Sequence, residues 1–285
     1  MLKKRILSSL ILLAVFLFTF FLKSPILFLL VILSAGSIVL SELSKLLKLS
    51  NLPLLFYWIV SILPIIFFYS ILFGINFSSE VNQVFLTSIL QNFALIMSII
   101  GSLFWFIIVP IDILYKKIST NLKFKILYGY LMVAPLIVVA SFIFITNKFF
   151  ILIMFFMISF SDVGAYFFGK AFGKNKLART ISPGKTIEGA LGGLLSNLIF
   201  IFILSEFYKI DLILLACFAT LVTILSIYGD IYQSFLKRQI KVKDSGSIIP
   251  GHGGFFDRLD GFCSTIPIAY LLITVSTIYS LGFSI

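Results

Sequence analysis

Apolar residues come in long unbroken blocks along the whole chain, with short polar interruptions between them. Nine blocks can be marked: 6–22, 26–40, 52–74, 85–114, 126–145, 149–168, 187–204, 212–233 and 262–282. An apolar run of about 18 or more residues is long enough to cross hydrocarbon as a helix. Within lipid every backbone polar group must find an internal partner, which leaves helices or closed barrels. Barrel strands would alternate apolar and polar positions over roughly 10 residues, and these blocks do not. The pattern predicts an all-α polytopic membrane protein with nine transmembrane helices. The fourth block is long enough to be tilted or broken, and the first two are short enough to form a tight hairpin.

Composition agrees. The chain of 285 residues is 60% hydrophobic and 12% charged, against about 25% charged for a soluble domain. Lys3, Lys4 and Arg5 ahead of the first block imitate a secretory signal. No small-residue cleavage site follows, and the second block begins at once, so the first block reads as a retained span. Cys217 and Cys263 lie inside apolar blocks and read as small buried hydrophobes, not as a disulfide framework.

The net charge of +11 is distributed unevenly. With the N-terminus inside, all of the 22 Lys and Arg residues except Lys23, Lys148 and Lys209 fall on the cytoplasmic side. Cytoplasmic loops collect Lys and Arg, so this split predicts a cytoplasmic N-terminus and an outer C-terminus; the expected location is the cell (inner) membrane. It also suits anionic lipid headgroups, and no nucleic-acid partner is expected. Residues 1–125 read as N-terminal membrane helices. Residues 126–285 read as a catalytic membrane region with polar cytoplasmic loops at 170–186 and 237–260.

Acidic residues number only 11, and inside spans they are costly and usually functional. Asp162 lies about six residues, or roughly 9 Å, below the cytoplasmic end of the sixth block. It is either a helix-packing acid paired with a lysine or part of a site. Asp230, Ser234, Lys237 and Arg238 stand at offsets 0, 4, 7 and 8, within one arc of a helix at about 100° per residue. They form either a salt-bridged stripe or one wall of a site.

After this arc comes a loop with Lys241, Lys243, Asp244, Ser245, Gly246 and Ser247, then Pro250, Gly251, His252, Gly253 and Gly254. Glycines flanked by cations suit phosphate groups. Asp257 and Asp260 flank Arg258 just before the last block. Locally, Asp257 is as good a helix cap as a metal ligand. Carboxylates and cations gathered at one membrane face favour a Mg²⁺–polyphosphate site, since Mg²⁺ takes one or two carboxylates plus substrate phosphates. Zinc is not expected without a Cys/His cluster, and no Walker-type loop is present. His252 is the single histidine; it reads first as a phosphate ligand, with a proton carrier or a loop-packing residue as the alternatives.

The stretch Ser234 to Asp260 resembles the signature of the phosphatidate cytidylyltransferase (CDP-diacylglycerol synthase) family, with no departure at its fixed positions. Ser161 to Lys170 (SDVGAYFFGK) resembles the family's sixth-span motif. Ser182 to Gly189 resembles its Ser-Pro-Lys-Lys-Thr-Trp-Glu-Gly loop, with Gly184 in place of a lysine and Ile187 in place of the tryptophan. The likeness covers residues 150–270 well, and the first 150 match in hydropathy and span count.

The resemblance implies Mg²⁺-dependent transfer of CMP from CTP to phosphatidic acid by a helical homodimer embedded in the lipid bilayer. It implies Asp230 and Asp257 as metal ligands; two carboxylates plus several phosphates would leave negative charge enough for a second cation at the same site. Lys185, Lys237 and Arg238 would stand near phosphates, and Lys185 alone carries the role shared in the family with position 184. Lys243 and Arg258 add to the substrate clamp, with Asp162, Ser234 and Asp260 in support. Two rival readings stay open: a CTP-dependent lipid kinase, and a transporter with Asp162 and Asp230 on an ion path.

Overall fold

In the computed structural model the described residues are 13–22, 25–75, 80–119, 121–208, 212–249 and 253–278. Helix α1 covers residues 13–21. It is followed by α2 (Pro25–Leu46), α3 (Asn51–Ile75), α4 (Glu80–Leu103), a π-helical stretch (Phe104–Ile108) and α5 (Val109–Leu114). The long α6 (Leu122–Phe172) leads to β1 (Lys176–Ala178) and β2 (Ser182–Thr186), then α7 (Ile187–Tyr208), α8 (Leu212–Gln239) and α9 (Phe256–Ile278).

Six of these helical stretches are long and apolar enough to cross a membrane: 27–46, 51–74, 82–114, 122–172, 187–206 and 212–239. The first predicted span lies mostly outside the described residues, and the ninth corresponds to α9, which is not among the six. Predicted spans five and six both fall within α6. They are separated at Asn147, where φ −145° and ψ 82° leave the helical region. Its side-chain oxygen accepts from the Phe150 amide at 3.2 Å, the geometry of an N-cap starting a fresh helix. The interruption in the long fourth block is the π-helical stretch, where a helix takes one extra residue in a turn.

Polar ties inside the bundle lock α5, α6 and α8 together. The buried Asp112 carboxylate accepts from Tyr128 and, at 2.8 Å, from Tyr232. Trp105 in the π-helical stretch donates to the Cys263 carbonyl at 2.9 Å, and Tyr228 donates to the Trp105 carbonyl at 3.0 Å. Outward-facing Phe67, Phe106, Phe202, Ile213 and Ile224 are exposed, as an apolar solvent allows.

Two features place the polar end of the molecule. Gly164 of α6 faces Gly192 of α7 so closely that a side chain would strike the opposing backbone. This brings the end of α6 against the start of α7. The loop predicted at 170–186 folds as an antiparallel hairpin, β1 with β2, the one sheet among the described residues. Glu188, in the first turn of α7, fastens it by accepting from the amides of Lys174 (3.0 Å) and Asn175 (3.1 Å).

Candidate functional site

Two lysine–aspartate pairs stand at the C-terminal end of α8. Lys185, at the end of the hairpin on β2, places its Nζ 2.6 Å from Oδ2 of Asp230. Lys237, two turns after Asp230 on the same helix, places its Nζ 2.7 Å from Oδ1 of Asp257 on the first turn of α9. The first pair is partly open, with side-chain exposures of 20% and 35%, whereas the second is nearly sealed.

Around the open pair lie two more carboxylates. Asp162 keeps an accessible surface, with Lys185, Asp230 and Arg258 as charged neighbours and the Ser226 hydroxyl beside it. Asp260 is buried; it accepts from the Gly261 amide at 2.8 Å and feels the charges of Asp230, Asp162 and Lys185. Ser234 is buried one turn below Asp230 and reaches its Oδ1 at only 3.4 Å. Lys185 thus stands as the cation shared by an acidic cluster that retains oxygen lone pairs.

Asp257 has a different environment. Its Oδ1 accepts from Gln233 Nε2 at 2.9 Å and from Lys237 Nζ at 2.7 Å. Its Oδ2 accepts from the Ser245 amide at 3.0 Å and the Gly254 amide at 2.9 Å. Burial pushes this carboxyl upward, but Lys237 and the two amides outweigh it and hold it below the usual carboxylate range. Asp257 is therefore a partly buried anchor for the loop as well as a charge at the site.

The glycines of that loop have a specific use. A side chain on Gly246 or Gly254 would run into the carboxylate of Glu42, and Gly253, with φ of +88°, abuts Asp244 and Asp257. These described glycines make room for carboxylates of the protein itself, a use that loop composition alone does not distinguish from a phosphate cradle.

Of the residues singled out from sequence, Asp162, Lys185, Ser234, Asp230 and Asp260 come together, and Lys237, two turns along α8 from Asp230, joins Asp257. Arg238 turns elsewhere: it donates to the carbonyls of Val242 at 3.0 Å and Ile181 at 3.4 Å, tying the loop to the hairpin. Lys243 and Arg258 are exposed, and the charge of Arg258 reaches Asp162. His252 lies outside the described residues. Sequence reasoning passed over Gln233, which shares Asp257, and Glu42. The available signal for Glu42 was an acid just past the second apolar block, three residues before Lys45, where a plain surface pair is the ordinary reading.

Residues 3–276 match the cytidylyltransferase family. The chain is similar to a phosphatidate cytidylyltransferase of Haemophilus influenzae, 29% identical over 287 residues that take in 94% of this chain and 96% of that protein. It is also similar to phosphatidate cytidylyltransferases of Staphylococcus haemolyticus, 41% identical over 126 residues, and Staphylococcus epidermidis, 43% identical over 128. Each of these two matches spans 44% of this chain and 48% of the relative.

Proposed function

We propose, from the premise that this chain belongs to the cytidylyltransferase family, that it transfers CMP from CTP to phosphatidic acid, giving CDP-diacylglycerol and pyrophosphate. The observation that carries this reading is the pair of lysine–aspartate bridges joined through α8, with two further carboxylates beside the open one.

The chemistry asks little of a proton-transfer group. A phosphate monoester has a second pKa of about 6 and is largely dianionic at neutral pH. One of its oxygens attacks the α-phosphorus of CTP. A new O–P bond forms, the bond from the α-phosphorus to the bridging oxygen breaks, and its electron pair leaves with pyrophosphate. The obstacle is repulsion between two anionic reactants, so positioning and electrostatic stabilisation dominate. Lys185, at the open pair, would bind phosphate oxygens of CTP, and Lys237 would serve the same charge from the sealed pair. Arg258 and Lys243 would extend the clamp, with Arg238 bracing the hairpin against the loop.

The acidic groups suit a hard divalent cation that arrives with the nucleotide. Asp230 has lone pairs to spare, because its Oδ1 meets only a long Ser234 contact. Asp257 would join through Oδ1, where Lys237 now sits. Among the described residues no three His, Cys, Asp or Glu side chains form a metal cage, so an ion held here would take its remaining ligands from substrate phosphates and water. When bound, Mg²⁺ would neutralise charge on the triphosphate, and a second cation would fit the remaining acidity of Asp162 and Asp260.

The orientation that goes with this reading is cytoplasmic: Lys185, Lys237 and Arg258 belong to the cation-rich side of the chain, in the inner membrane of a cell. The chain would act as a homodimer, with the lipid entering sideways from the bilayer. With purified protein, CTP and Mg²⁺, pyrophosphate release should depend on added phosphatidic acid and match the CDP-lipid formed one for one. Pyrophosphate formed at the same rate without the lipid would contradict the reading.

A further inference from the structure

Glu42 is 1% exposed, near the C-terminal end of α2. Negative charge is disfavoured at that end of a helix, so its burial there calls for compensation from elsewhere. That compensation comes from the other half of the chain. Oε2 accepts from the Ser245 hydroxyl at 2.7 Å and the Phe256 amide at 2.8 Å, and Oε1 accepts from the Phe255 amide at 3.0 Å. Phe256 is the first residue of α9. Glu42 therefore supplies, from another helix, the acceptor that the unpaired amides of a helix start require, at the end where negative charge is favoured.

Ser245 links this carboxylate to the site. Its amide donates to Asp257 while its hydroxyl donates to Glu42. At the far side of the loop, the Gly254 amide goes to Asp257 and the next two amides go to Glu42. Two carboxylates, one from α2 and one from α9, thus hold both ends of the same loop. The close approach depends on Gly246 and Gly254, against which the Glu42 carboxylate packs.

We propose that Glu42 is a positioning residue for the nucleotide half of the reaction, an inference that rests on the cytidylyl-transfer reading. It fastens Ser245 to the amides of Phe255 and Phe256, fixes the first turn of α9, and so sets Asp257 and its partner Lys237 against the CTP phosphates. It touches no reacting atom. Through it the N-terminal membrane helices complete the catalytic region.

Glu42→Gln keeps the length of the side chain but offers one oxygen where three donors need two. Its kcat should fall about tenfold or more, as expected for lost hydrogen bonds to a charged acceptor. The half-saturating Mg²⁺–CTP concentration should rise several-fold, while that for phosphatidic acid stays within twofold of wild type. Hydrogen exchange at the Phe255 and Phe256 amides should quicken. Ser245→Ala should change CTP saturation in the same direction by less, and it decides alone if Glu42→Gln cannot be purified folded. A loss of kcat with both saturation constants unchanged would mean a smaller active fraction and would overturn the proposal, as would unchanged kinetics. Wild-type protein that forms no CDP-lipid would instead defeat the underlying reading, and in that case the exchange of Phe255 and Phe256 decides whether Glu42 closes the loop.

Discussion

Asp257→Asn is expected to lose at least about 10²-fold in turnover, the scale of removing a strong electrostatic contact from a transition state. As a plain helix cap the residue would tolerate the change, because asparagine caps about as well as aspartate. The structure gives the residue more to do. Four donors converge on its two oxygens, and an amide can accept through one oxygen only. Whichever way the amide turns, either Lys237 and Gln233 or the Ser245 and Gly254 amides meet an N–H₂ group. Lys237 is 9% exposed, and a buried cation left without its partner is strongly destabilising. Turnover measured by pyrophosphate release in detergent or vesicles checks this; activity within threefold of wild type would leave the capping reading standing. Because the folded carboxyl lies below its ordinary value, its contribution is present above the unfolded pKa of about 3.9 and is lost as pH falls through the lower folded value. Loop closure in the wild type should therefore not weaken between pH 7 and pH 5 on account of this group.

Asp230→Asn should cost about 10² to 10³-fold in turnover and raise the Mg²⁺ concentration needed for half-maximal rate. Lys185→Gln breaks the same pair from the other side, and should instead raise half-saturating CTP with little change in Mg²⁺ demand. An ion pair this open contributes at most about 1 kcal/mol to stability. If it were only structural, both variants would keep near-normal rates and show the same small loss of stability. Divergent metal and nucleotide dependences distinguish a working pair from a structural one.

The local part of this site was legible because helix geometry is local. Asp230, Ser234 and Lys237 share a side of α8 as their spacing requires, and the polar loops fall where the hydropathy breaks. Partners distant in sequence were not legible. Nothing near Lys185 identifies Asp230, 45 positions on, as its counter-charge, and nothing near Glu42 points to Ser245, 203 positions away. Arg238 shares the arc, yet its guanidinium is drawn to carbonyls in the loop after α8 and in the hairpin. Asn147 was hidden for another reason: one polar residue between two apolar blocks specifies a helix restart only through its cap geometry.

The central claim is that the α-phosphorus of CTP, and not the γ-phosphorus, is the reacting atom. The most direct measurement supplies CTP radiolabelled at the α-position in one reaction and at the γ-position in another, each with phosphatidic acid and Mg²⁺, and follows label into the extracted lipid. Cytidylyl transfer predicts that α-label enters the lipid in step with pyrophosphate release while γ-label stays in the aqueous phase. γ-Label in the lipid, with α-label recovered only as free CDP, would contradict it and identify the protein as a CTP-dependent lipid kinase.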